Sequence, residues 1–152
     1  MKAGNDALPW VAKALGRAGL LPFCAAPLML YLDPHRTDLY ATLLSSYALA
    51  IICFLVGAWW GLALIRRSSP ALLLSNVVVI VAFLCHALLP APMFLILCAA
   101  LYPAIVMVER RGRLFRAQPP YYARLRLQLT AVATASLVVA ASLLLCCKPL
   151  GH

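Results

Sequence analysis

Long apolar runs, separated by short polar segments, dominate the chain from end to end. A bilayer core of about 30 Å is crossed by roughly 20 helical residues at about 1.5 Å each. Five runs meet that requirement, at 16–32, 42–65, 71–89, 92–108 and 127–147. The first has an amphipathic lead-in from Trp10, and its short apolar stretch makes Arg17 extend its head to the interface along its own aliphatic stem. The third and fourth are separated by Pro90-Ala91-Pro92. Proline lacks the amide donor a helix needs, so this spacing predicts a tight hairpin and not one long helix. Lys148-Pro149 stops the fifth run.

Composition agrees with the pattern: 65% of the residues are hydrophobic and 11% charged. Soluble domains have roughly a quarter of their residues charged, so here the solvent is partly lipid. At 152 residues the expectation is one membrane domain without an appended soluble module.

Of the 13 Lys and Arg, all but Arg36 and Lys148 fall in three places: before the first run or at its start, at Arg66–Arg67, and between Arg110 and Arg126. The turn after the first run is acidic on balance, with Asp33 and Asp38 against Arg36, and the Pro90 turn has no charge. Basic and non-basic segments therefore alternate at every crossing. That is the distribution of a five-span all-α integral membrane protein with a cytoplasmic N-terminus, a periplasmic C-terminus and a basic cytoplasmic loop at 109–126. The Ala/Leu/Arg-rich composition places it in a bacterial inner membrane. A net charge of +9 also suits nucleic acid, but the charges abut spanning segments and form no separate basic domain, so no nucleic-acid partner is expected.

Cys24, Cys53, Cys85 and Cys98 lie inside apolar runs, where cysteine behaves as a small apolar residue. Phe23 beside Cys24 is too bulky for lipoprotein processing, and Pro22 and Pro27 interrupt a signal-like reading, so the first run is expected to stay.

Two helical faces carry candidate chemistry. Ser46, Ala50, Cys53, Gly57 and Gly61 recur at spacings of 4, 3, 4 and 4, lining small residues along one face of the second span. Such a face suits close helix packing, first within the molecule and otherwise as a seam with a second copy or another membrane protein. Trp59 and Trp60 stand beside it, where indoles favour the interface. In the fifth span Tyr122, Arg126, Thr130 and Thr134 share a face. The plain reading is a snorkelling arginine with threonines bonded back to their own helix. The alternative is a site for a lipid headgroup or small anion formed by Arg126, Thr130 and Tyr122 with Trp60, Gly57 and Gly61.

Arg110, Arg111, Arg113 and Arg116 form a basic cluster suited to anionic lipid, at about 1 kcal/mol per residue near a surface. Asp33, His35, Asp38, His86, Cys146, Cys147 and His152 fall on the opposite face, but without metal-ligand spacing, so no metal and no cofactor is expected. Ser75 and Asn76 read as capping or cross-helix donors. Glu109 reads as an edge residue among arginines, which leaves no buried ionisable group. No catalytic constellation is present, and no enzyme is expected.

Three stretches are similar to the transmembrane protein 69-like family of bacteria and mitochondria: Leu15 to Phe23, Tyr47 to Gly61, and Tyr121-Tyr122 with Leu125-Arg126 and Leu129-Thr130. The family has serine where Cys53 stands, glycine where Val56 stands, and Trp-Tyr where Tyr121–Tyr122 stands. The resemblance implies a small multi-span inner-membrane protein and no assigned reaction. The expected role is a non-catalytic accessory or assembly partner of a larger membrane complex. The alternative is binding or transport of a lipid headgroup or small anion, which requires a cavity opening inward between the second and fifth spans.

Overall fold

The computed structural model describes residues 7–112 and 120–146, with side chains described for 10–112 and 123–146. All elements among the described residues are helical. In chain order they are α1 (Ala7–Ala18), α2 (Leu21–Leu32), a 3-10 turn (Pro34–Arg36), α3 (Thr37–Ile65), α4 (Ser69–Leu88), α5 (Ala91–Arg111) and α6 (Pro120–Cys146). Five stretches are long and apolar enough to cross a membrane: Trp10–Leu32, Pro34–Ile65, Ser69–Leu88, Ala91–Arg111 and Ala123–Cys146. This is the architecture of a multi-pass membrane protein.

The first of these stretches is bipartite, which corrects the expectation of one helix over 16–32. Pro22 has no amide hydrogen to give, and Gly19 is a weak helix former. α1 therefore ends at Ala18, and α2 restarts with the Cys24 amide donating to the Leu20 carbonyl at 3.0 Å. The Gly19 carbonyl at the break accepts the Tyr47 hydroxyl from α3 at 2.9 Å. The Pro90 turn forms where proline spacing puts it, and α5 runs unbroken through Pro103.

α2, α3, α5 and α6 close a ring in which each helix packs on two others, while α4 lies outside against α3 and barely touches its hairpin neighbour α5. Only Ser75 and Ala82 of α4 are buried. The ring core holds Phe23 and Leu30 of α2, Leu44, Ala48 and Ile52 of α3, Phe94, Leu95 and Cys98 of α5, and Ala133, Leu137 and Ala140 of α6. Phe23 meets the rings of Tyr47 and Tyr102 edge-on, at 5.2 and 5.9 Å, a geometry aromatic pairs favour. Tyr102 also donates to the Ala48 carbonyl at 3.0 Å, tying α5 to α3.

α3 presents Ala41, Leu44, Ser45, Ala48, Ile52, Leu55, Val56, Trp59 and Ala63 to the core. The small-residue stripe points elsewhere. Ser46, Ala50, Gly57 and Gly61 are exposed and Cys53 is half-buried. A Cβ added at Gly57 or Gly61 would meet nothing within 4 Å. The expectation that this stripe packs within the molecule is thus corrected. Ala41, Ala48 and Ala63 give the inward face its own close approach, and that face also carries the Trp59 donor, which gains most away from lipid.

Candidate functional site

The basic end of the ring is organised around one carboxylate. Along α5 the residues Cys98, Tyr102, Ile105 and Glu109 recur every three or four positions and are all buried, so Glu109 continues the core face to the helix end. It is 8% exposed. Its Oε1 accepts the indole Nε1–H of Trp59 at 3.0 Å and the Nη2–H of Arg126 at 2.8 Å. Its Oε2 accepts the Nε–H of Arg126 at 3.0 Å. The Arg–Glu contact is the bidentate fork that fixes both planes. Arg126 is 9% and Trp59 3% exposed, so the cluster is withdrawn from solvent and lipid alike.

Two expectations are corrected here. The chain does bury ionisable groups, and Arg126 does not snorkel free but spends two of its three nitrogens on Glu109. The carboxylate is drawn inward because an arginine in this position needs a partner, and Glu109 supplies it. Trp59, not Trp60, is the tryptophan of the site; Trp60 is 47% exposed on the far side of α3, together with Gly57 and Gly61. Tyr122 lies in α6, but its side chain is outside the described residues, as are Arg113, Arg116, Cys147 and His152.

Arg126 and Thr130 share the wall of a cavity of about 370 Å³. It is enclosed by the α1–α2 break, α3, α6 and Tyr102 of α5, while Gly57, Trp60 and Gly61 take no part in its wall, and its mouth corrects the expectation of an inward opening. The lining is apolar apart from Arg126, Thr130 and Tyr102. Leu15 and Phe54 form its rim and are 67% and 73% exposed, so the cavity opens sideways towards the surroundings of the bundle. Gly16 lets α1 approach α6: a Cβ there would stand 2.9 Å from Leu129 Cδ1.

A second hollow of about 630 Å³ lies on the other side of α6, between Pro103, Met107, Arg110 and Arg111 of α5 and Thr130 and Thr134 of α6. The threonines are not bonded back to their own helix. The Thr134 hydroxyl is buried without a partner, and Thr130 makes no hydrogen bond among the described residues.

The remaining polar candidates resolve locally. Ser75 and Asn76 both donate to the Leu72 carbonyl one turn back, at 2.7 and 2.9 Å. His86 meets Phe94 in a tilted contact with ring centres 4.8 Å apart. Asp33 accepts the Tyr40 hydroxyl at 3.2 Å and lies 3.9 Å from Arg36. Among the described residues no three His, Cys, Asp or Glu side chains gather where a metal could sit.

The profile of the family described as protein of unknown function (DUF3429) matches residues 8–142. The chain belongs to that family. The matched span includes α2, α3 and α5, α6 as far as residue 142, the Trp59–Glu109–Arg126 cluster and the cavity wall. Neither the curated proteins nor the solved structures compared with the chain gave a match. Sequence reasoning missed Glu109 and Trp59 as site residues. The available signal was register: Glu109 stands seven residues after Tyr102 on one helical face, and Trp59 stands seven after Ile52.

Proposed function

We propose that the protein is a non-catalytic, multi-pass protein of the bacterial inner membrane that holds the polar head of a membrane amphiphile at Arg126 and Thr130. The observation that carries this reading is the apolar cavity with Arg126 and Thr130 in its wall and a rim open to the side. Lipid-soluble molecules reach such a site laterally, and pockets of this kind orient a ligand through a few placed polar groups. Its size suits one hydrocarbon chain and a small head.

The orientation that fits is positive-inside. Arg66, Arg67, Arg110, Arg111 and Arg124 surround the end of the bundle where Trp59, Glu109 and Arg126 meet, and five crossings then put the N-terminus in the cytoplasm and the C-terminus in the periplasm. Arg110 and Arg111 are exposed there and suit the phosphates of anionic lipid, and Arg113 and Arg116 follow them in the sequence. Kinship with the transmembrane protein 69-like group belongs to this reading as well.

Native mass spectrometry of gently extracted protein tests the proposal. A retained lipid-soluble molecule is expected, and Ala12→Trp, which intrudes on the cavity from the loosely packed α1, is expected to release it. Protein that emerges bare in both forms refutes the reading. A second reading, an accessory subunit of a larger complex, is favoured by the unoccupied face at Gly57 and Gly61. It requires a reproducible protein partner in the same spectra, lost on Gly57→Leu.

A further inference from the structure

The ion pair behind the cavity wall constrains the head that the cavity can take. Every neighbour bonded to Glu109 is an N–H donor: Trp59 Nε1, Arg126 Nε and Arg126 Nη2. That is the surrounding of an ionised carboxylate, which accepts on both oxygens and donates from neither. Glu109 therefore cancels the Arg126 charge at 2.8 Å, and the pair is neutral as a unit. The wall of the cavity is nonetheless formed by Arg126 and not by Glu109. Arg126 keeps its Nη1 amino group, which bonds no acceptor among the described residues. Thr130, 8% exposed, adds a hydroxyl without a bond among the same residues.

A ligand head entering the cavity thus meets donors without an uncompensated cation. An anionic head would leave a net negative charge beside Glu109 in an apolar enclosure, where desolvation opposes it. A neutral carbonyl oxygen accepts the same N–H and O–H bonds and adds no charge. Building on the amphiphile reading above, we infer that the cavity selects a neutral amphiphile with a carbonyl oxygen in its head, and that Glu109 is the residue that excludes anionic ones. Two kinds of membrane molecule share this chemistry: acylglycerols, through the ester carbonyl, and isoprenoid quinones, through the ring carbonyls. Leu15, Phe23, Phe54 and Leu129 receive the hydrocarbon part of either.

The test uses the full chain in maltoside micelles, titrated separately with monooleoylglycerol, a decyl-substituted benzoquinone, and oleate at a pH well above its pKa. Occupancy is read by native mass spectrometry. At least one neutral probe is expected to fill the site at a concentration tenfold or more below that of oleate, a difference of about 1.4 kcal/mol. The tighter of the two neutral probes identifies the ester or the quinone source. Glu109→Gln keeps an acceptor for Trp59 and uncovers the Arg126 charge, so it is expected to shift the preference towards oleate, relative to the neutral probe, at least tenfold. Oleate binding as tightly as the neutral probes in the unaltered protein overturns the inference and leaves the amphiphile reading standing. Failure of all three probes, or occupancy indifferent to Ala12→Trp, overturns both. Should Glu109→Gln fail to fold, the probe ranking in the unaltered protein decides alone.

Discussion

Glu109 is where burial, charge and register meet in one side chain. Removing it as Glu109→Ala leaves Arg126 buried and unpaired, and breaking such pairs costs about 3–5 kcal/mol. The double change Glu109→Leu with Arg126→Met removes both charges and is expected to recover most of that loss. Thermal unfolding of the single and double variants in detergent checks the difference. Trp59→Phe deletes one hydrogen bond to the carboxylate and is expected to cost about 1.5–3 kcal/mol, whereas Trp60→Phe on the exposed side changes stability by less than about 0.5 kcal/mol. A similar loss for both would show that the indole bond contributes nothing. Arg126 and Thr130 were legible as site residues because they share a polar face in an apolar helix. Glu109 was not, because a carboxylate at a helix end beside Arg110 and Arg111 looks solvated until its neighbours from α3 and α6 are known.

The spanning stretches themselves were read correctly in number, because proline and arginine punctuate the runs strongly. What escaped was how they face one another. The α1–α2 break depends on a tertiary bond, Tyr47 to the Gly19 carbonyl, as much as on Pro22, and no local rule reports the donor. The stripe at Gly57 and Gly61 shows the same limit: spacing identifies a face but not its direction. At the end of α3, the Ser68 amide reaches back to the Ala63 carbonyl at 2.9 Å, and Arg67 takes a left-handed conformation with φ of 52°. Glycine is the usual residue at this position, and an L side chain there costs roughly 1–2 kcal/mol. Arg67→Gly is therefore expected to raise the unfolding midpoint, by about 1 kcal/mol once the greater freedom of the unfolded glycine is counted. A lowered midpoint would mean that the Arg67 side chain contributes more than its backbone costs.

For the molecule as a whole, the placement of arginines predicts the sidedness. Cysteines introduced at Arg66 and at Arg111 should react with a membrane-impermeant thiol reagent only in inverted vesicles, and one at Arg36 only in intact spheroplasts, in a background where the native thiols are blocked or replaced. Labelling of Arg36 and Arg111 positions from one side would reverse the assignment. The five crossings were the most legible feature of all, since a charge stranded in lipid is costly whatever the packing. The ring of α2, α3, α5 and α6 was not legible, because lipid-facing and core-facing residues here are equally apolar. The Glu109 cluster also carries a consequence for how the chain is made. Trp59 precedes the carboxylate by 50 residues and Arg126 follows it by 17, so the guanidinium leaves the ribosome last. Until then, a nascent α5 holds an acid that hydrocarbon does not welcome. The fifth and sixth helices are therefore bound to enter the bilayer as a couple, the earlier one waiting at the headgroups for the later.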